Sequence, residues 1–209
     1  MKKIPFAIVL FFLSCGSFGS PSLGEYLDKL RLEDVGDGRK FKLLGEYKYK
    51  DPKGTIWVVP EGVIVDGASI PEPFWSIVGS PWSGKYRNAS VIHDYFFDRK
   101  KYSSESVHRV FYDAMLTSGV PILKAKIMYF AVVRFNSRWE QSDFLPECNT
   151  RWVNCYPVLA GEPITVRIDV DFVKSELEAA EAYIRATNLP VEDVETLANI
   201  GFKNARSRK

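Results

Sequence analysis

Apolar and polar positions follow two different periods along this chain. From Lys40 to Val65 they alternate roughly every second residue, through Lys40–Tyr49, Thr55–Val59 and Val63–Val65. That period predicts β-strands, because successive side chains leave a strand on opposite faces. Asp51-Pro52-Lys53-Gly54 has proline second and glycine fourth, as a type I turn prefers, so the first two runs are expected to form a hairpin. From Tyr86 onward the apolar residues recur every three to four positions, which predicts helices. The first covers Tyr86–Asp98. The second covers Ser104–Ser118, capped by Ser103 or Ser104, with Glu105 in its first turn and Gly119 at its end. The third runs from Ile122 to Trp139 behind Pro121, and it is apolar on most sides, as a central buried helix would be.

Outside this middle region the pattern is more varied. Leu23, Tyr26, Leu27 and Leu30 are spaced as one or two helical turns. Asn136–Pro163 shows no clear period and is expected to be a loop region. Ile164–Phe172 alternates strictly and predicts a strand. Lys174–Thr187 and Val191–Ile200 predict two further helices, separated by Asn188-Leu189-Pro190. The expected fold class is mixed α+β: short N-terminal antiparallel strands, a three-helix central core and a C-terminal strand-helix extension. The expected boundaries are a core domain over 20–140 and an extension over 141–209.

Composition changes the picture at the N-terminus. Lys2 and Lys3 precede the apolar run Ile4–Leu13, and Ser17-Phe18-Gly19 supplies small residues at a cleavage site. This is the pattern of a secretory signal peptide over 1–19, and its apolar run is too short for a permanent membrane span. The alternative is a lipobox over Phe12–Cys15 with acylation of Cys15. Either way the protein is expected to be exported, to the periplasm or beyond. Cleavage removes Lys2 and Lys3 and no acid, so the formal charge of +2 on the whole chain falls to zero. A chain without a basic excess is a poor general nucleic-acid binder. In an exported chain Cys148 and Cys155, separated by only six residues, are expected to form a disulfide.

The candidate chemistry lies between Val65 and Asp98. Gly67, Pro71, Pro73, Gly79, Pro81 and Gly84 shape a long loop that also carries Trp75 and Trp82, and the loop leads directly into His93-Asp94. A shaped loop followed by a His-Asp pair on a helix suggests a built site. Adjacent helical side chains point about 100 degrees apart, so His93 and Asp94 must serve different partners. Asp66 and Ser69 open the loop. They are candidates to face the same cleft, although short polar side chains there also shape turns by bonding backbone amides. Ser69 lacks the Gly-x-Ser-x-Gly setting of a nucleophile elbow. His108 lies on the second helix, and antiparallel packing would bring it toward His93. Together with Asp94 the two histidines are a candidate transition-metal set, though not at a recognised spacing.

Asp66-Gly67-Ala68-Ser69-Ile70-Pro71, Trp75, Gly79, Pro81, Gly84, Tyr86, Ala89, His93-Asp94-Tyr95 and Phe111-Tyr112-x-Ala114-Met115 together resemble domain-of-unknown-function family number 1353, found in bacteria and tailed phages. That resemblance implies no reaction. A second, more distant one does. A His-Asp pair on one helix, followed by a short link and another helix, is similar to secreted phospholipases of the A-two type. It implies His93 as general base, Asp94 as a calcium ligand, and carbonyls of the Gly79–Gly84 loop as further donors. The chain departs from that pattern twice: His108 stands where an aspartate would hold the catalytic histidine, and Phe97 where a tyrosine would follow it. Two functional expectations result. One is a hydrolase-like, calcium-assisted protein acting on lipid or envelope esters. The other is a non-catalytic envelope or phage-derived binding or structural protein.

Overall fold

The N-terminal strands owe their arrangement to tyrosines and to one break at Gly45. The computed structural model describes residues 23–36, 38–67, 82, 84–136, 138–140, 144–148, 155–159, 164–166 and 174–201, with backbone alone at 140, 144–148, 155–159, 164–166, 174 and 175. The strands are β1 (Glu25–Tyr26), β2 (Leu32–Asp34), β3 (Phe41–Leu43), β4 (Tyr47–Lys50), β5 (Ile56–Val59) and β6 (Ile64–Val65). They form two antiparallel three-stranded sheets, ordered β1-β4-β5 and β2-β3-β6. The hairpin expected around Asp51–Gly54 is present: Tyr47 pairs with Val59 and Lys50 with Ile56. The Gly54 amide donates to the Asp51 carbonyl, and the Lys53 and Thr55 amides donate to the Asp51 carboxylate, which closes the turn.

Two readings of this region need correction. Lys40–Tyr49 is two strands in two different sheets, because the chain turns at Leu44–Glu46 between β3 and β4. The stretch around Tyr26 is not helical. Tyr26 pairs with Tyr49 in β1–β4, and its ring stacks 5.7 Å from that of Tyr47. Its hydroxyl donates to the Ala114 carbonyl. Leu23 and Leu27, which supplied the helical spacing, are exposed. Burial of one tyrosine therefore decides this segment, not the local period.

The helices follow the sequence closely: α1 (Arg87–Arg99), α2 (Ser104–Thr117), α3 (Ile122–Phe135), α4 (Lys174–Thr187) and α5 (Val191–Ile200). Ser103 caps α2 by accepting from the Ser106 amide. Gly119, at φ 75°, lets the chain turn out of α2 in a conformation that other residues resist. α3 is the central helix, buried continuously from Ala125 to Val133, and it contacts α2, α4 and α5. It ends at Phe135 rather than at Trp139. The Arg138 guanidinium folds back and donates to the Val133 carbonyl, one of the last acceptors of the helix. Beyond it β7 (Arg138–Glu140) pairs antiparallel with β10 (Ile164–Val166), and β8 (Phe144–Cys148) with β9 (Cys155–Leu159). The stretch expected to be loop thus contains three strands. Its sequence hides them because each is short and Pro146 and Pro157 interrupt the alternation.

One hydrophobic cluster joins all these helices. It includes Tyr47 and Val59 of the sheet, Ile92 and Phe96 of α1, Phe111 and Met115 of α2, Phe130 of α3, Leu177 and Ile184 of α4, and Leu197 of α5. Residues 1–22, which include the expected signal sequence, together with Ser69, Trp75 and most of the shaped loop, lie outside the described residues. Trp82 is an anchor: its indole N–H donates to the Arg39 carbonyl, and its ring packs 4.6 Å from that of Phe41.

α4 is fastened to α3 by a buried ion pair. Arg134 donates to Glu176 at 3.2 Å, and the two side chains are 15% and 5% exposed. The chain leaving α5 passes over it at Gly201, where a Cβ would stand 2.8 Å from an Arg134 guanidinium nitrogen. Arg134→Met should cost about 3–5 kcal/mol, because it strands the Glu176 carboxylate in the core. Replacing both partners (Arg134→Met with Glu176→Leu) should recover most of that loss. Denaturant unfolding of the parent, the single and the double variant measures both effects.

Candidate functional site

α1 and α2 pack side by side, and their inward faces bring His93 and His108 together. His93 Nε2 lies 3.0 Å from His108 Nδ1. The ring centroids are 5.2 Å apart and the planes are inclined by only 25°. Two nearly coplanar rings at that separation meet head-on, with one N–H between two nitrogens. The pair is enclosed by Phe97, stacked on His93 at 5.4 Å, by Phe111 at 4.9 Å, and by Trp139, whose ring lies 6.5 Å from that of His108. The Trp139 indole N–H donates to the Tyr102 carbonyl at 2.7 Å, which fixes this wall of the box.

Both imidazoles are removed from water, at 0% exposure for His93 and 2% for His108. Burial holds His93 down to about 3. Burial, then the neighbouring His93 and the charge of Arg138, hold His108 well below the ordinary imidazole range. The pair is therefore neutral across physiological pH. Its tautomers follow. Whichever ring donates the shared proton, one outer nitrogen is left as a donor and the other as an acceptor. Those outer atoms, His93 Nδ1 and His108 Nε2, have no hydrogen-bond partner among the described residues.

Asp94 faces the opposite way, toward the end of β6. One carboxylate oxygen accepts the Asp66 backbone N–H at 2.8 Å. The carboxyl side chains of the two residues also meet. Burial, then the charge of Asp66, push Asp94 up to about 8, against the lowering effect of that N–H. Asp98, one turn along α1, adds a further negative charge. Asp94 is thus a neutral carboxyl near pH 7, sharing its proton with an exposed neighbour.

The five residues singled out by sequence divide accordingly. His93 and His108 form one buried pair. Asp94 and Asp66 form a second pair on the other face of α1. Ser69 lies outside the described residues. The two pairs do not converge on one point, because His93 and Asp94 project from adjacent positions of α1. The carbonyls expected to join Asp94 around calcium belong to residues 79–84, of which only 82 and 84 are among the described residues. Among the described residues, no group of three or more His, Cys, Asp or Glu is placed to hold a metal ion. Sequence reasoning did not find the aromatic box. Phe97 and Phe111 carried helical spacing, but Trp139 reaches the site only because α3 ends early.

The pH dependence of stability follows from these shifts. The folded His93 titrates near 3 against 6.5 for an ordinary histidine, so its contribution is complete above pH 6.5 and is lost as pH falls. For His93 the loss should amount to about 1.4 kcal/mol per pH unit across that window, and the lowered His108 adds a loss of the same sign. A His93→Phe/His108→Leu variant should lack this acid-side loss. Asp94 runs the other way. Its folded value near 8 lies above the ordinary 3.8, so its contribution is complete below 3.8 and is lost as pH rises toward 8. Asp94→Asn should therefore gain on the parent as pH rises from 5 to 8. Urea unfolding of the three proteins across pH 4 to 8 measures both slopes.

Two uncharacterized proteins of Sinorhizobium fredii are similar to this chain. Uncharacterized protein y4jT is 45% identical over 125 residues, which are 59% of this chain and 35% of that protein. Uncharacterized protein y4iH is 42% identical over 109 residues, 52% of this chain and 46% of that protein. The matched stretch thus spans less than half the length of either relative. No solved structure matches, so the likeness to phospholipases rests on the residues of α1 and α2 alone. Residues 41–132, which hold both sheets from β3 onward, the two paired sites and most of α3, match the family described as Protein of unknown function (DUF1353).

Proposed function

We propose that this is an exported envelope protein that works by binding, with the His93–His108 pair as a structural element of its core. The observation that carries this reading is the burial of His93. A general base must reach the proton it removes, and it needs a pKa near the working pH. The His93 ring is instead wholly buried, bonded to a neutral ring and pushed down to about 3. Among the described residues no carboxylate orients it, and its partner on α2 is His108. Export rests on Lys2-Lys3 and the apolar run Ile4–Leu13. It agrees with the backbone register of the β8–β9 hairpin, which places Cys148 opposite Cys155, as a cross-strand disulfide would need.

A second reading, a hydrolase acting on lipid or another envelope ester, is favoured by the Asp66–Asp94 carboxyl pair. Two adjoining carboxyls that hold one proton are a familiar source of acid and base at neutral pH, and Asp66 is open to solvent.

Ester hydrolysis and calcium response, each with Asp94→Asn, separate the two readings, and His93→Gln tests the structural role of the histidine pair. In a binding protein the change should lower stability by about 1–3 kcal/mol, as a buried polar group loses its partner. The parent should show no ester hydrolysis, and calcium should leave its melting temperature unchanged. Hydrolysis by the parent that vanishes in Asp94→Asn, or a calcium-induced rise in melting temperature that Asp94→Asn removes, would establish the hydrolase instead. For export, the mature protein should begin at Ser20 and show no free thiol before reduction, read by intact mass with and without alkylation. A diacylglycerol-sized adduct on Cys15 would establish lipid anchoring.

A further inference from the structure

A groove lies between the β2–β3 hairpin and the start of α1, lined by none of His93, His108, Asp66 and Asp94. Leu30, Leu32 and Leu44 are its apolar lining residues, and Arg31, Arg87 and Asn88 its polar ones. Its volume, about 510 Å³, falls within the range of about 300–1,000 Å³ typical of small-molecule sites.

The polar residues are placed by particular contacts. The Leu44 amide donates to the Arg31 carbonyl at 3.0 Å, which ties the residue just before β2 to the turn after β3. The Arg31 guanidinium then lies over Gly45, where any Cβ would overlap it. Gly45 thus makes room for a cation. Arg87 is steadied by two donations to the Trp82 carbonyl, at 3.1 and 2.8 Å from Nε and Nη2. Trp82 is itself held by the Arg39 carbonyl and Phe41. Among the described residues neither Arg31 nor Arg87 faces a carboxylate partner. The other arginines with recorded ion pairs, Arg109, Arg134 and Arg185, are each matched to an acid.

We infer that this groove binds a single-chain amphiphile with a carboxylate head, a long-chain fatty acid. The head is recognised by Arg31 and Arg87, whose planar forks suit a carboxylate, with Asn88 beside them. The chain lies along Leu30, Leu32 and Leu44. Leu44 is 42% exposed, and covering it supplies the apolar gain. The inference is independent of His93 and Asp94 and stands whether or not the protein is a hydrolase.

Titration of the full chain with dodecanoate, below its micelle concentration and read by calorimetry, tests it. One equivalent should bind with micromolar affinity. Arg31→Gln combined with Arg87→Gln should weaken binding at least tenfold. Leu44→Glu, a change at an exposed position that places a carboxylate in the groove, should do the same. Dodecyltrimethylammonium, with the same chain and a cationic head, should not compete. The inference is overturned if dodecanoate does not bind, if the cationic amphiphile binds equally well, or if neither variant changes the affinity. It is overturned as well if an acidic peptide binds the groove more tightly than dodecanoate. Circular dichroism of the variants confirms that they are folded.

Discussion

One proton held between two imidazoles is the contact on which the centre of this protein depends. The bond between His93 and His108 is made only when α1 and α2 stand in a single register, because a shift of one residue on either helix would swing a ring out of the box. Phe97, Phe111 and Trp139 exclude water from it, so neither ring can take a second proton without a large desolvation cost. A leucine pair would fill similar space at less risk. The histidines bring direction: a hydrogen bond fails at a wrong angle where an apolar contact merely loosens. The constraint extends to Trp139 and Tyr102, since the indole closes the box and bonds the link between the two helices.

Elsewhere the chain treats buried ionisable groups in two ways. Near α1 it neutralises them: the histidines lose their charge, and Asp94 keeps its proton. Between α3 and α4 it pairs them, with Arg134 against Glu176. Neutralisation suits the crowded centre, where apolar rings leave no room for a counter-ion. Pairing suits the periphery, where Gly201 leaves space for the guanidinium.

The helices were legible because each carries a full apolar stripe and a local stop signal, such as Ser103 before α2 or Gly119 after it. The contact of His93 with His108 was legible as well, since a short link between two helices implies antiparallel neighbours. Less legible was whatever a distant partner decides. Tyr26 joins β1 because Tyr49 and Ala114 receive it. α3 stops early because Arg138 turns back onto Val133. Lys40–Tyr49 divides at Gly45, and its two halves find different sheets. In the candidate site the residue types were visible but not their burial. His-Asp looks like a working pair in sequence, whereas in space the two residues look away from each other.

The neutral Asp94 has a consequence for the molecule as a whole. A count of side chains gives it one negative charge at pH 7, and the folded protein does not carry all of it. Near pH 7 folding takes up most of a proton at Asp94, and the two histidines, which give up their partial charge on burial, return about half of it, so the net balance is an uptake. Refolded in a weakly buffered solution, the chain would leave its medium slightly more alkaline, and the folded protein would migrate as more cationic than its composition implies.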